Sequence, residues 1–461
     1  MYGTGLASFF TITPHLFATI TDCNIKHISA PNICEKERLN RFFEKFNKVS
    51  PIIIQTPWVG AIGNMAEEIY MGLLRARREG KKVLFIFPYD LFWKFKFSKF
   101  GNGINRDLCS VESKYRLNLS NITNIILNSI LTIIYLFFIL AVSFLKLFRI
   151  NLNKSWSVPD IGSEALWGAG LEFNIEDVIN MEWDKQFSNY LPVSLPDKKN
   201  KKAEEIIKKI GLTKSDWFVC LHARESGYYS KNGYKEGHGK NIRNVDPLTY
   251  MKAVDYILSK GGWVVRMGDN TMTPLPVRDK LIDYAHSKYK STLMDVYLLQ
   301  NCEFFLGSSS GIWDIANLFQ KKIIMPNVVP FTQVLPPRKC DIKIDKHFYK
   351  KKDGTKLTIN DLLNINISLN IGKYKIKDNT PEEILDCVVS FINNPKCNLN
   401  KLQIFFNLDV KAKINIENKI SRFNFINNKR QRVKQQYRLA SYILGRKGSE
   451  EGNFLKQNYN G

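Results

Sequence analysis

Residues 216–327 alternate short apolar runs with amphipathic stretches, a pattern that few folds accommodate. The apolar runs are DWFVCLHAR, WVVRMGD, CEFFLG and KKIIMPN, and their length and composition are typical of buried strands. The stretches between them, such as PLTYMKAVDYILSK, repeat apolar residues every three or four positions, which is the period of an α-helix. Because parallel strands are joined by crossover helices, the alternation predicts a doubly wound parallel α/β sheet.

Polar residues follow three of these apolar runs, in the endings HAR, RMGD and GSSSG. Ligands of doubly wound sheets bind beyond the carboxyl ends of the strands, where such endings converge. The endings and the loop after the first of them supply our candidate ligand-binding residues: His222, Arg224, Arg243, Arg266, Gly268, Ser308, Ser309, Ser310 and Gly311. Each also fits a structural alternative, namely a loop histidine, a surface salt-bridge partner or a helix cap.

The candidate residues have the chemistry of an anion site. Guanidinium, imidazole, hydroxyl and backbone N–H groups are the donors that hold phosphates in proteins. The chain contains no P-loop, no HExxH and no GxGxxG after a strand, so it gives no support to a nucleoside triphosphatase, a zincin or an ordinary dinucleotide-binding protein. It also contains no Asp-x-Asp sequence. We therefore predict a site that holds a diphosphate without a metal ion, and no cofactor.

Residues 51–88 read as a strand, a helix and a second strand, PIII, MAEEIYMGLLRARRE and KKVLFIFP, at the start of another parallel sheet. The glycines of WVGAIGN fit either a tight turn or the close approach of a ligand. Asn64 with Glu67 three residues later matches a capping box. Glu67 and Glu68 are our candidate catalytic bases, because a carboxylate near this loop can accept the proton of an acceptor hydroxyl.

Residues 122–149 include the apolar stretch IILNSILTIIYLFFILAVSFLKLF, which is long enough to cross a bilayer as a helix. Cations flank it on both sides, so the positive-inside rule gives no orientation. A helix buried in the protein is one alternative, and a helix or hairpin that lies in an anionic membrane surface is the other. A single crossing would put two halves of one domain on opposite sides of the membrane, so we do not expect one.

The composition is that of a folded chain with room for two domains. The chain has 461 residues, 44% of them hydrophobic, and a formal charge of +24. The charge can attract phosphates, nucleic acid or an anionic membrane, but no basic and aromatic motif points to nucleic acid, and we predict no such partner. The eight cysteines are scattered without a CxxC pair, which favours reduced thiols in the cytosol, and no signal peptide is expected.

Several motifs in order resemble a family of glycosyltransferases from bacterial surface-polysaccharide clusters. They are HARESGYY, IRNVDPLTYMKAVDYILSKGGWVVRMGD, MDVYLLQNCEFFLGSSSGIWDIANLFQKKIIMPN and, near the N-terminus, AIGNMAEE. The likeness spans most of residues 51–390, and Asn64 stands where the family often has a His. The His-x-Arg and the serine turn are also similar to those of fucosyltransferases that use GDP-fucose in a GT-B fold. The resemblance implies that His222 and Arg224 hold a donor diphosphate and that Ser308, Ser309 and Ser310 contact donor phosphate or sugar.

The resemblance implies a GT-B-like architecture of two Rossmann-like domains facing a cleft, with an inserted hydrophobic membrane-associating helix or hairpin and a helical C-terminal tail. The predicted divisions are an N-terminal extension, an acceptor domain, a nucleotide-sugar-binding domain and a basic helical tail, at residues 1–50, 51–195, 196–395 and 396–461.

The function that this implies is metal-independent transfer of a sugar from a nucleotide-diphosphate donor, with a GDP-linked sugar as a candidate. The acceptor would be a surface polysaccharide or a polyprenyl-linked glycan. Such acceptors lie at the cytoplasmic membrane surface, so we expect a cytoplasmic protein attached peripherally or monotopically to the inner membrane. Two alternatives stay open: another nucleotide-sugar enzyme such as an epimerase, and a non-catalytic membrane-associated scaffold of polysaccharide assembly.

Overall fold

A computed structural model of the chain describes about half of its residues, and these form two compact units. The first unit contains described residues between 49 and 130 together with 191–193, and the second contains those between 194 and 393. The described residues are 49–55, 57, 62–87, 105–120, 122–123, 125–127, 130, 191–227, 241–329, 341–358, 361 and 371–393. The predicted N-terminal extension and basic tail lie almost wholly outside them, and the predicted domain boundaries stay predictions.

The first unit is built on a three-stranded sheet whose strands all run parallel, in the order β1-β2-β3. Its elements are β1 (Ile52–Gln55), α1 (Ile62–Arg78), β2 (Lys82–Phe85) and β3 (Arg116–Leu117). The predicted strand–helix–strand unit is therefore confirmed. Met65, Ile69 and Leu73 recur at helical spacing on the buried face of α1. Gly80 follows the helix in the left-handed conformation, with φ +63°, which stops the helix from continuing.

The capping box predicted at the start of α1 is wrong. The helix begins at Ile62, so Asn64 lies inside the first turn and is not the N-cap. Glu67 lies beyond that turn. The helix extends into the glycine-containing loop, and Gly63 lies in its first turn, outside the helix interior where a glycine costs most.

The second unit is built on six parallel strands in the order β6-β5-β4-β7-β8-β9. A separate antiparallel pair, β10 and β11, follows. The elements are α2 (Asp197–Ile210), β4 (Phe218–His222), α3 (Met251–Ser259), β5 (Trp263–Arg266), β6 (Leu281–Ile282), α4 (Thr292–Asn301), β7 (Phe304–Gly307), α5 (Ile312–Leu318), β8 (Lys322–Val328), β9 (Ile342–Asp345), β10 (His347–Lys350), β11 (Tyr374–Lys377) and α6 (Pro381–Asn393). The predicted parallel α/β sheet is thus confirmed, and it has the strand order of a Rossmann fold.

One apolar core lies between this sheet and helices α3 and α6. Strand residues such as Val219, Leu221 and Leu306 pack there with Val254 and Ile384 from the helices. Both faces of a parallel sheet are covered by helices. Its strands are therefore continuous runs of Val, Ile and Leu and do not alternate apolar with polar residues. Asp246 caps the turn that leads into α3: its carboxylate accepts a hydrogen bond from Leu248 N at 2.9 Å, and this first turn is 3₁₀ in form.

The apolar segment at 122–149 is described only at its start. Residues 122–123, 125–127 and 130 are helical, and the remainder of the segment lies outside the described residues. Among the residues that the structure describes, no helix is both long enough and apolar enough to span a membrane. Membrane attachment through this segment stays a prediction.

Candidate functional site

The carboxyl ends of β4 and β7 lie side by side at the point where the strand order of the large sheet reverses. His222 pairs with Gly307 in the register of the two strands. Ser308 N donates to His222 O at 3.1 Å, and Arg224 N donates to Ser308 Oγ at 2.9 Å. The structure therefore brings the HAR ending and the serine turn together, as the sequence predicts. Doubly wound sheets bind their ligands at this reversal point.

Gly307 allows the two strand ends to approach this closely. A Cβ atom at this position would lie 2.5 Å from His222 O, which no L side chain tolerates without a backbone shift. The glycine thus has a packing reason that the sequence alone did not reveal.

Three polar side-chain atoms at these strand ends are buried without a hydrogen-bond partner among the described residues. They are His222 Nδ1, Ser309 Oγ and Ser310 Oγ. The exposed fractions are 7% for His222, 1% for Ser309 and 8% for Ser310, and Arg224 beside them is 6% exposed. An unsatisfied buried polar group costs about 1–3 kcal/mol, so three on neighbouring strand ends require an explanation. A polar ligand that hydrogen-bonds to these atoms would explain why they are buried without a partner.

Ser308 differs from the two serines after it because its hydroxyl is engaged inside the protein. Besides accepting from Arg224 N, it hydrogen-bonds to the hydroxyl of Tyr250, which also accepts from Asn327 Nδ2 at 3.3 Å. Tyr250 and Asn327 are both fully buried. Burial raises the pKa of Tyr250, with the hydrogen bonds from Asn327 and Ser308 acting in the opposite direction. Ser308 therefore joins β4, β7 and the start of α3, which is a positioning role.

We expect Ser308→Ala and Ser309→Ala to have opposite profiles. Ser308→Ala leaves Arg224 N and the Tyr250 hydroxyl short of a partner, so the free energy of unfolding falls by about 1–3 kcal/mol. Ser309→Ala removes a buried hydroxyl that has no described partner, so the free energy of unfolding should not fall and should rise by up to about 1–3 kcal/mol. Urea unfolding followed by tryptophan fluorescence measures both. Equal losses of stability in the two variants would contradict the claim that only the Ser308 hydroxyl is bonded within the protein.

His222 is neutral in the folded protein at pH 7. Burial, followed by the charges of Arg266 and Arg224, lowers the pKa of His222 to about 3 from an ordinary 6.5, and Asp269 acts in the opposite direction. The imidazole can therefore offer one N–H and one acceptor nitrogen, but no positive charge. The positive charge beside His222 at the end of β4 comes from Arg224.

The shift of His222 gives a pH prediction. Between the folded and unfolded pKa values the unfolded chain binds more protons, so stability falls as the pH drops below 6.5. One pKa unit corresponds to about 1.4 kcal/mol, so this group removes about 2 kcal/mol between pH 7 and pH 5. Urea unfolding at the two pH values measures the free energy of unfolding. Its fall from pH 7 to pH 5 should be about 2 kcal/mol smaller in His222→Gln than in the wild type. The same pH dependence in wild type and variant would mean that His222 titrates normally.

Arg266 lies at the end of β5 and forms a closed ionic cluster. Its Nη1 donates to Asp283 Oδ1 at 2.9 Å, and its Nη2 donates to Glu225 Oε1 at 2.9 Å and to Thr273 O at 3.0 Å. The side chain is 0% exposed. The second oxygen of Glu225 accepts from Thr273 N and Oγ1, at 2.9 and 2.6 Å. Arg266 thus ties the loops after β4 and β5 together, and its predicted direct contact with a ligand stays untested.

The remaining predicted residues flank the same sheet edge. Gly268 has φ +145°, and a Cβ there would lie 2.1 Å from Met272 Sδ, so only glycine fits this turn. Arg243 ends a 3₁₀ turn, and two residues later Val245 N donates to Arg224 O at 2.9 Å, which ties this loop to the HAR ending. Gly311 has an ordinary φ of −66° and precedes α5.

Two features of this edge escaped the sequence analysis. Asp314, in the first turn of α5, is buried, and burial raises its pKa well above the ordinary value against hydrogen bonds from Trp313 and Asn317. An acid inside the apolar run IWDIANLF was the available signal. The second feature is the reciprocal pair of Asn327 and Asn379, in which each backbone N–H donates to the other's side-chain oxygen at 2.6 Å. Asn327 has φ +60°, and no pattern in the sequence indicated this bond.

The two candidate bases belong to the first unit. Glu67 and Glu68 lie on α1 and are each 2% exposed. Gln55 Nε2 donates to the carbonyl oxygen of Glu68 at 2.9 Å, which ties the helix to the end of β1. Their role as catalytic bases stays a prediction. Among the described residues, no group of three or more His, Cys, Asp and Glu side chains is arranged to hold a metal ion.

No family model matches the sequence, and no curated protein matches it. Among solved structures, the chain is similar to a glycosyl transferase family 9 protein from Veillonella parvula DSM 2008, with a TM-score of 0.21 and 14% identity. The alignment covers 29% of this chain and 36% of that one, so only about a third of the other protein is matched. A similarity this small does not assign the chain to a family.

Proposed function

We propose that the second unit binds the diphosphate of a nucleotide sugar and that the protein transfers the sugar to an acceptor without a metal ion. The observation that carries this proposal is the set of buried, unsatisfied polar atoms of His222, Ser309 and Ser310 beside Arg224. They lie where the strand order of a Rossmann-like sheet reverses, which is the position at which such sheets bind nucleotides.

The chemistry of these groups suits a diphosphate leaving group. When the bond between the anomeric carbon and the phosphate oxygen breaks, negative charge grows on the diphosphate. The guanidinium of Arg224 and the hydroxyls of Ser309 and Ser310 stabilise that charge by charge-assisted and neutral hydrogen bonds, and neutral His222 adds one more donor. Arg266 and Ser308 hold the loops in place and need not contact the ligand.

The acceptor hydroxyl forms the new bond to the anomeric carbon and loses its proton to a base. We propose Glu67 or Glu68 of the first unit for this role, because carboxylates are the usual proton acceptors for sugar hydroxyls. A GDP-linked donor, a surface-polysaccharide or polyprenyl-linked acceptor, a GT-B arrangement of two domains and attachment to the cytoplasmic membrane are part of the same proposal, and their support is the resemblance of the sequence motifs.

A thermal-shift screen of the full chain against GDP, UDP, CMP and dTDP in EDTA tests the donor class. We expect one nucleoside diphosphate to stabilise the wild type, by about 2.7 kcal/mol at a hundredfold excess over its Kd, and to stabilise Arg224→Gln much less. Sugar release from the matching nucleotide sugar should then require an acceptor.

Other outcomes would point to the alternative functions. Conversion of the nucleotide sugar without any acceptor would indicate an epimerase or a hydrolase in place of a transferase. If no nucleoside diphosphate stabilised the wild type, the proposed donor site would be wrong and a scaffold would be the better interpretation.

A further inference from the structure

The first unit contains a cation, Arg116, that forms no ion pair with any described residue. Arg116 opens β3, the edge strand of the small sheet, and pairs with Val83 of β2. Its guanidinium carbon lies 5.6 Å from the centroid of the Phe85 ring and 5.6 Å from that of the Phe87 ring. Contacts of a guanidinium with two aromatic rings restrict its orientation and cover part of its surface.

Among the residues that the structure describes, the Arg116 guanidinium has one hydrogen-bond acceptor. Nη1 donates to Val111 O. Nε is buried and has no acceptor among the residues that the structure describes. Burial lowers the pKa of Arg116 to about 10, and the neighbouring Cys109 and Glu112 raise it, so the side chain is a cation at neutral pH. Glu112 is exposed and acts only through this longer-range field.

Two buried arginines of the protein, Arg75 and Arg266, are neutralised by carboxylates. Arg75 pairs with Glu79 at 2.6 Å, and Arg266 pairs with Glu225 and Asp283 at 2.9 Å each. Removing a charge from water costs several kcal/mol unless a counter-charge and hydrogen bonds replace the water. Arg116 is half-buried, has no carboxylate partner among the described residues, and has no acceptor there for its buried Nε. It therefore lacks the counter-charge that Arg75 and Arg266 have.

Arg116 also lies toward the edge of the sheet where a ligand is expected. Phe85 ends β2 and Phe87 lies two residues beyond it, so a guanidinium over both rings is displaced toward the carboxyl end of this strand. The loop before β3 reaches the start of α1, because Cys109 Sγ lies 3.8 Å from Met65 Sδ. Ligands of parallel α/β sheets bind at this edge.

We propose that Arg116 binds a phosphoryl group, of a phosphomonoester or a diphosphate, at the carboxyl edge of the first unit's sheet. A planar fork with spare N–H donors matches the oxygens of such a group in a bidentate way, and a phosphoryl oxygen supplies both the missing counter-charge and the missing acceptors. In the reaction proposed above, this group belongs to the acceptor. That last assignment rests on the proposed function, whereas the binding site itself does not.

Isothermal titration of the full chain with inorganic pyrophosphate in EDTA tests the site by its stoichiometry. We expect two equivalents on the wild type. Arg224→Gln should retain only the site in the first unit, and Arg116→Gln should retain only the site in the second. Lys114→Gln is the matched control, because Lys114 is an exposed cation two residues away whose Nζ lies 5.1 Å from the Tyr115 ring. It should bind like the wild type.

Arg116→Lys keeps the charge but loses the planar fork, and we expect it to fold and to bind at this site about 10- to 100-fold more weakly, as for the loss of a charged hydrogen bond. This variant keeps the test decisive if Arg116→Gln does not fold. Binding at the same affinity and stoichiometry in wild type, Arg116→Lys and Arg116→Gln would overturn the proposal. Binding of a single pyrophosphate by the wild type, lost in Arg224→Gln, would also overturn it. That outcome would still support the donor site in the second unit.

A wild type whose stoichiometry falls in Arg116→Gln but not in Arg224→Gln would support the site in the first unit and contradict the donor site. A second titration with farnesyl diphosphate distinguishes the source of the phosphoryl group. Tighter binding than pyrophosphate, lost in Arg116→Gln, identifies a lipid-linked ligand, and equal binding, lost in the same variant, identifies recognition of the phosphoryl group alone.

Discussion

Arg224→Gln is expected to weaken the binding of the preferred nucleoside diphosphate by about 10- to 100-fold, which corresponds to the loss of one or two charge-assisted hydrogen bonds. Arg224 is 6% exposed and lies beside the unsatisfied atoms of His222, Ser309 and Ser310, so a diphosphate held there would contact its guanidinium. Sugar transfer should fall further, by about 100- to 1,000-fold, because the same contact strengthens as the diphosphate leaves. Titration calorimetry and initial rates of transfer measure the two effects.

The matched control for this variant is Arg278→Gln, in the same unit. It removes the same charge from an exposed arginine, which pairs with Asp255 at 3.1 Å. If long-range attraction by the basic chain were responsible for binding, the two variants would lose the same affinity. If Arg224→Gln bound the nucleotide as well as Arg278→Gln, the donor site would be in the wrong place.

Arg266→Met is expected to produce the largest loss of stability, about 3–5 kcal/mol in the free energy of unfolding. The change leaves Glu225 and Asp283 without the guanidinium that neutralises both of them, and breaking a buried ion pair from one side has this cost. The loop after β5 should also loosen, because Thr273 O loses its donor. Urea unfolding measures the stability, and hydrogen exchange at Thr273 and Leu275 measures the loop.

Arg278→Met provides the comparison here as well. Its partner Asp255 is half exposed and water can solvate it, so we expect a loss below about 1 kcal/mol. Losses of similar size in Arg266→Met and Arg278→Met would show that the cluster of Arg266, Glu225 and Asp283 does not stabilise the fold. Normal stability combined with lost nucleotide binding in Arg266→Met would instead assign Arg266 to direct contact with the ligand.

The spacing of apolar residues in the sequence was sufficient to predict the parallel sheet of the second unit. Strands joined by crossover helices favour a parallel sheet, and the carboxyl ends of parallel strands share one edge. For this reason the meeting of His222 and Arg224 with the serine turn could be predicted before any coordinates. The beginning of the first unit could be predicted on the same grounds, since one strand, one helix and a second strand define a parallel pair.

The partners of individual side chains could not be predicted, because they depend on loops that are distant in sequence. Arg266 meets Glu225, 41 residues away, only because Thr273 folds back onto the same carboxylate. Ser308 resembles the next two serines in sequence, but the hydroxyl of Tyr250 and the backbone of Arg224 engage it alone. The neutral state of His222 likewise results from burial between two arginines, which the letters HAR do not show.

A crystal structure of the full chain with its preferred nucleoside diphosphate, grown in EDTA, tests the central claim most directly. The account predicts phosphate oxygens within hydrogen-bond distance of the Arg224 guanidinium and of the Ser309 or Ser310 hydroxyl. Arg266 should remain paired with Glu225 and Asp283 in that complex. A diphosphate bound elsewhere on the chain, with these side chains making no contact to it, would contradict the account.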